Sequence, residues 1–133
     1  MMDIELRRVA DAAKAEKWDE VDKQIPKLIK NPVYVQWAYE NALSSSNSNL
    51  KDLGASILEK AVIAEEKFAL MRDKLYYRMI EEKNPYVRYR SAFALAAHGP
   101  GRYKNKVLDV LQEALRDKDV KKFAAKYLKQ LDD

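Results

Sequence analysis

The side chains that most enzymes use for nucleophilic, acid–base or metal chemistry are scarce in this sequence. There is one histidine, His98, and no cysteine. His98 stands directly before Gly99-Pro100-Gly101, a pattern typical of a helix end, where an imidazole interacts with free carbonyl groups and the helix dipole. A zinc site needs several His, Cys or carboxylate ligands that converge, and no such spacing occurs. The sequence therefore predicts no metal and no cofactor.

The acidic pairs are also poor candidates for acid–base chemistry. Glu65-Glu66 and Glu81-Glu82 are each adjacent in the sequence, and adjacent side chains on a helix point in different directions. Serine-nucleophile motifs, Walker loops and dinucleotide-binding glycine motifs do not occur. We therefore expect a protein that is not an enzyme. Asp117 and Asp119 are expected to cap a helix.

A basic, tyrosine-rich segment, residues 72–106, is the strongest candidate for binding. It holds nine Lys or Arg against three acidic residues, in a chain whose net charge is +4. An excess of cations among aromatic residues suits phosphate groups or an acidic partner. Alternatively, these cations form ion pairs with acidic residues of neighbouring structural repeats. The candidate binding residues are Arg78, Tyr86, Tyr89, Arg90, Arg102 and Lys104.

Helix three offers a second, aromatic candidate. Tyr34, Trp37 and Tyr39 present more aromatic surface than one apolar stripe can bury, although core packing is the expected role of Trp37.

Composition and apolar spacing predict that helices position all these residues. Ala, Leu, Glu, Lys and Arg supply 66 of the 133 residues, and three Gly with four Pro are too few for the turns of an all-β fold. Whether helices four and five are separate or form one kinked rod is left open. The eight predicted helices cover about 2–14, 18–30, 31–43, 50–63, 64–82, 84–98, 103–115 and 119–131.

Several local features refine these helices. Asn31-Pro32 and Asn84-Pro85 predict capped helix starts, and Pro26 predicts a kink inside helix two. Apolar spacing places Ile4 on the inward face of helix one and Phe123 on that of helix eight.

Three nine-residue windows align without gaps and indicate an internal repeat. Each window has an aliphatic residue first, a cation second, a tiny residue fifth, alanine sixth and leucine ninth, and the tiny residues should let helix backbones approach closely. The starts lie 37 and then 33 residues apart, a typical length for a helical hairpin repeat. The windows are residues 50–58, 87–95 and 120–128.

This pattern resembles the second helix of the HEAT repeat family. Asn84-Pro85-Tyr86-Val87-Arg88 and Asp117-Lys118-Asp119-Val120-Lys121 match its opening best, and residues 107–115 look like the family's first helix. The resemblance covers nearly all of residues 18–131. It implies an all-α fold, a right-handed α-α superhelix of the armadillo type, built as a short HEAT-like solenoid of about four helical hairpins.

The expected organisation is one domain over residues 1–133. Residues 1–16 form an N-terminal capping helix, and the repeat-like hairpins cover about 31–63, 64–98 and 102–131. We favour pairing helix one with two and three with four. The alternative pairs helix two with three, because residues 25–43 also resemble a hairpin.

The resemblance implies a non-catalytic protein–protein interaction or scaffold module. The alternative is a nucleic-acid-binding protein that uses residues 72–106, for which affinity should fall steeply with salt. A third class, HEAT-like base-excision enzymes, has motifs that cannot be matched here residue by residue. We expect a cytoplasmic protein without membrane association, since the longest apolar run is only Ala92–Ala97, and either a monomer or an end-to-end homodimer.

Overall fold

The computed structural model describes residues 3–132, and throughout this range the chain forms helices and turns without a β-strand. The predicted all-α class is therefore confirmed. None of the helices in the described range combines the length and apolarity needed to cross a membrane. The helices are α1 (Ile4–Lys14), α2 (Trp18–Leu28), α3 (Pro32–Trp37), α4 (Ser48–Lys60), α5 (Glu65–Glu81), α6 (Pro85–His98), α7 (Lys104–Ala114) and α8 (Lys121–Asp132).

Side-chain caps fix where several helices begin. The Asn31 side chain accepts a hydrogen bond from the Val33 amide at 2.9 Å, and Asn84 accepts one from the Tyr86 amide at 2.9 Å. A proline follows each asparagine at the first helical position, where its missing N–H costs nothing. Both predicted starts are confirmed.

Helices α4 and α5 are separate elements. Residues Ala61 and Ala64 are extended, with ψ of 151° and 143°, so the backbone leaves the helical region between them. In contrast, α2 continues through Pro26 and ends at Leu28, two residues before the predicted end.

A tight contact joins α3 to α4. The chain after α3 continues as a π-helical turn, Ala38–Ala42, in which the Leu43 amide donates to the Ala38 carbonyl at 3.1 Å. A Cβ atom on Gly54 would lie 2.7 Å from the Ala42 Cβ, closer than carbon atoms can approach. The expectation that a tiny residue here permits close approach of two backbones is confirmed for Gly54.

Contacts pair the helices in chain order as α1 with α2, α3 with α4, α5 with α6 and α7 with α8. This is the pairing that the sequence favoured. Across the pairs, α6 lies between α4 and α8, so the repeated windows form one continuous row. The largest fully buried side chains are Phe68, Phe93, Leu28, Leu43, Leu53, Ile57, Leu58, Met71, Leu75, Met79, Leu95 and Leu111.

Two apolar residues predicted to face inward are exposed. Ile4 is 79% exposed, because it begins α1 at one end of the helix row. Phe123 is 36% exposed, because α8 is the last helix and no following helix in the described chain covers it. Ala125 is exposed for the same reason, whereas its repeat counterparts Ala55 and Ala92 are fully buried.

Candidate functional site

A groove of about 790 Å³ runs across α2, α4, α6 and α8. Its volume lies in the range of ligand-binding clefts. Equivalent positions of the three repeat windows line it, namely the residue just before each window and the fourth residue within it. These positions are one helical turn apart, so each helix presents the same face to the groove. They are Asn49 and Leu53, Tyr86 and Arg90, and Asp119 and Phe123.

Aromatic side chains provide the apolar part of the groove. Trp18 on α2 is half-buried, and Phe123 lies on the opposite wall formed by α8. Between them, the Tyr86 phenol donates to the Asp119 carboxylate at 3.4 Å. A hydrogen bond with the nearby Asp117 carboxylate raises the pKa of the Tyr86 phenol above its ordinary value.

An ion pair occupies the floor of the groove. The Asp52 carboxylate lies 3.6 Å from the Arg90 Nε atom, and both side chains are largely buried. The Arg90 guanidinium also lies 5.5 Å from the ring centre of Phe123 and 5.9 Å from that of Phe93, within range for cation–π attraction. Burial raises the pKa of Asp52 to about 6, although Arg90, Lys60 and a hydrogen bond with Ser56 act in the opposite direction.

A second polar contact lies deeper, between α4 and α8. The Tyr127 hydroxyl donates to the Glu59 carboxylate at 2.5 Å, and the two residues are 4% and 6% exposed. Burial, together with the Glu59 charge, raises the pKa of Tyr127, so the phenol remains a donor. This hydrogen bond connects α8 to α4, although the two residues are 68 positions apart in the sequence.

Acidic residues outnumber basic residues in the groove. Its lining includes four carboxylates and two cations, a net charge of −2 when all are ionised, although the whole chain carries +4. Since Asp52 and Arg90 neutralise each other, the excess comes from the rim. The rim carboxylates are Glu16, Asp22 and Asp119, and the remaining cation is Lys60.

Glu16 adopts a backbone conformation that is uncommon for its residue type. Its φ is +61°, in the left-handed region that favours glycine, and it follows the end of α1. The Lys17 amide closes this helix end by donating to the Ala12 carbonyl at 2.9 Å. A carboxylate therefore stands on the groove rim at a position where glycine fits the backbone better.

Ion pairs neutralise much of the basic segment 72–106. Every arginine in the segment has a carboxylate within 4.0 Å, and the Lys74 amine donates to the Tyr39 carbonyl at 2.7 Å. The remaining cations of the segment, Lys83, Lys104 and Lys106, are at least partly exposed. The arginine pairs are Arg72 with Glu65, Arg78 with Glu81, Arg88 with Glu113, Arg90 with Asp52 and Arg102 with Asp73.

Two of the three cations at the second position of the windows connect neighbouring hairpins. Lys51 on α4 pairs with Glu82 at the end of α5. Arg88 on α6 binds Glu113 on α7 through two hydrogen bonds of 2.8 Å each. This is the ladder between repeats that the sequence suggested.

The structure brings only two of the six predicted binding residues to the groove. Tyr86 and Arg90 line it. Tyr89 is only 6% exposed, so its ring is almost entirely buried. Arg78 lies on α5 and Arg102 in the turn Gly101–Tyr103 before α7, both paired with carboxylates, and Lys104 begins α7.

The aromatic residues of helix three have structural contacts. Tyr34 is buried, and its hydroxyl donates to the Asp3 carboxylate at 2.5 Å. Trp37 and Tyr39 are half-buried, and the Tyr39 hydroxyl donates to the Leu70 carbonyl at 3.2 Å. These contacts leave little of the predicted aromatic surface available to a partner.

His98 has a structural contact as well. Its Nε2 atom lies 2.7 Å from the Leu58 carbonyl, and its ring lies 4.6 Å from that of Phe68. Leu58 is in the last turn of α4, where carbonyl groups lack helical partners. The imidazole therefore satisfies a free carbonyl, as expected, but on a neighbouring helix instead of its own.

Sequence reasoning missed Trp18, Asp22 and Asp52. Apolar spacing places Trp18 in the core, and Asp52 lies within a repeat window at a position that Tyr89 and Lys122 occupy in the other two. The available signal was the fourth window position, where Leu53, Arg90 and Phe123 differ in polarity. An arginine aligned with two apolar residues indicates a position at the edge of the core, although Leu53 itself is fully buried there.

Within residues 3–132, no three His, Cys, Asp or Glu side chains are placed to hold a metal ion.

Comparison with known proteins gave no match: no family model, no curated protein and no solved structure matches the chain.

Proposed function

We propose that this chain is a non-catalytic protein-binding module, a short HEAT-like solenoid whose right-handed superhelix offers the groove to a segment of another protein. The groove carries this proposal, because equivalent positions of three repeats line one face. Stacked helical hairpins bury their own core and leave the repeated second helices free for an extended partner. Aromatic side chains surrounded by polar ones are typical of the centre of a protein interface.

The contacts of the lining residues favour binding over catalysis. A raised pKa such as that of Asp52 can mark a catalytic acid. Here the carboxylate contacts Arg90, and the described lining contains no histidine or cysteine to act with it as a nucleophile or base. We therefore assign Asp52 to the support of the groove floor.

Nucleic-acid binding through residues 72–106 is the alternative. It requires cations that are available to phosphates; every arginine of this segment has a carboxylate within 4.0 Å, which leaves chiefly Lys83, Lys104 and Lys106 for phosphates. The groove also carries a negative charge excess, which repels a phosphate backbone. Both observations favour the protein partner.

Selection of peptides from a random display library on the folded protein tests the proposal. Phe123→Ala removes an apolar side chain from the groove, whereas Leu70→Ala removes one that is 74% exposed on α5, outside the groove. Selected peptides should bind the wild type and Leu70→Ala alike. Their affinity for Phe123→Ala should be at least tenfold weaker, as for an apolar contact at an interface centre.

Two outcomes would overturn the proposal. One is a selection in which no peptide depends on Phe123. The other is a salt-sensitive gel shift with duplex or single-stranded DNA or RNA that the selected peptides fail to compete, since this would assign the chain to the nucleic-acid class.

A further inference from the structure

We infer that the groove recognises a cationic peptide segment, in which an apolar residue is flanked by lysines or arginines. This inference rests on the proposed function and specifies its partner. Three features carry it: the distribution of charge around the rim, the apolar walls, and a backbone acceptor on α2.

The acidic rim determines that the partner segment should be positively charged. Glu16 and Asp22 stand on the α2 side, and Asp119 stands on the α8 side, all with exposed side chains. Since both ends of the groove are acidic, a segment lying across it meets carboxylates before and after the apolar walls. Cations flanking an anchor would pair with them, whereas acidic flanks would be repelled.

The interior of the groove selects an apolar anchor. Trp18 and Phe123 are partly exposed on the two sides and offer most of the apolar surface, whereas Ile25, Leu53 and Val120 between them are at most 4% exposed. The Asp52–Arg90 pair on the floor is internally neutral and already in contact, so it leaves the excess charge to the rim. An aliphatic or aromatic side chain is the group that this lining can desolvate without leaving a charge unpaired.

A carbonyl on α2 that lacks its i+4 amide donor also favours a cation over an anion. Pro26 has no N–H, so the Asp22 carbonyl four residues earlier lacks its usual helical donor. Both residues line the groove. A lysine or arginine beside the Asp22 carboxylate can also donate to this carbonyl, whereas an acidic side chain cannot.

The field of the whole protein does not cancel this preference. The positive excess lies in residues 72–106, where every arginine has a carboxylate within 4.0 Å, and at physiological salt the charges of exposed residues are screened within roughly 8–10 Å. The carboxylates on the rim therefore dominate for a segment that lies in the groove.

Three designed peptides test the inference by fluorescence anisotropy. All share a central Trp-Leu anchor, with two residues on each side that are Lys in one peptide, Gln in the second and Glu in the third. The Lys peptide should bind at least tenfold more tightly than the Gln peptide, and the Glu peptide should bind most weakly. Raising the salt concentration should reduce the difference in affinity between the Lys and Gln peptides.

A charge-matched pair of double variants locates the effect. Asp22→Asn with Asp119→Asn removes two rim carboxylates, and Glu66→Gln with Asp109→Asn removes two exposed carboxylates outside the groove. The first variant should weaken the Lys peptide about tenfold and leave the Gln peptide within twofold of wild type. The second should change neither peptide.

Equal affinities of the Lys and Glu peptides, or equal effects of the two double variants, would overturn the inference. The proposed function stands in that case if Phe123→Ala still weakens all three peptides. If no peptide depends on Phe123, the inference fails together with the proposed use of the groove.

Discussion

The Asp52 carboxylate lies 3.6 Å from the Arg90 Nε atom and joins α4 to α6 on the floor of the groove. The two residues are 38 positions apart, and each is drawn from a repeat window. The pair brings two charges into a largely buried place, so its contribution to stability depends on pH.

The stability of the protein should respond to the protonation of Asp52. Its pKa is about 6 in the folded chain, against an ordinary value of 3.8, so the folded state binds the proton more tightly than the unfolded state. This group therefore makes the free energy of unfolding fall as pH rises from about 4 to about 6, by roughly 2–3 kcal/mol, with little change above that. The Asp52→Asn variant lacks this effect. Urea unfolding of both proteins at pH 4 to 8 should show the variant gaining stability relative to wild type across that window; a difference that stays constant with pH would contradict the shift.

Equivalent positions in two repeats should respond oppositely to alanine. Gly54→Ala places a Cβ 2.7 Å from the Ala42 Cβ, so the backbones must separate. We expect the free energy of unfolding to fall by about 1–2 kcal/mol, after allowance for the better helix propensity of alanine.

Ser91→Ala is the matched control, because the buried Ser91 Oγ has no hydrogen-bond partner among residues 3–132. Its removal should be neutral or stabilise by about 0.5–1 kcal/mol. Thermal or urea unfolding tests both; destabilisation of both variants to the same extent would refute the packing explanation.

The hydrogen bond from Tyr127 to Glu59 should matter more than its exposed counterparts. Tyr127→Phe leaves a buried carboxylate without its donor, which should cost about 2 kcal/mol. Tyr103→Phe removes a similar bond to Asp73, whose side chain is 60% exposed, and should cost less than about 0.5 kcal/mol. The measurement is the free energy of unfolding in urea. Equal costs would mean that burial of Glu59 is not what gives the contact its strength.

Glu16→Gly should stabilise the fold. Glycine accepts a φ of +61° without the steric cost that glutamate bears, so we expect a gain of about 0.5–1 kcal/mol in spite of the greater freedom of glycine in the unfolded chain. Glu16→Ala keeps a Cβ and should give no gain. Unfolding in urea compares the three proteins, and an equal gain from alanine would show that charge, not backbone conformation, sets the stability of this position.

Much of the helical framework was predictable, because its signals are local. Asn31 and Asn84 cap the helices that follow them through amides two residues away, so a short stretch of sequence contains both partners. The close approach at Gly54 was also expected from the windows. The π-helical turn after Trp37 was not predicted, since it accompanies the close contact between that turn and α4.

The candidate site was predicted only in part. Tyr86 and Arg90 were selected from the basic segment, but the segment itself does not form one surface. Arg72 and Arg78 pair with carboxylates of their own helix α5, whereas Arg88, Arg90 and Arg102 pair with carboxylates of other elements, up to 38 residues away in the case of Arg90 and Asp52. Counting charges along the sequence cannot identify these three long-range pairs, because the distance between two charges is set by how the helices stack.

The sequence by itself determined that the chain is helical, where most helices begin and end, and which positions repeat. These properties depend on backbone propensity, capping and periodicity, which act over a few residues. Only the tertiary structure decided which charges are neutralised, and that α2 and the repeated helices enclose an acidic groove with aromatic walls. The exposure and the electrostatic surroundings of a side chain depend on residues that the fold brings together from distant parts of the chain.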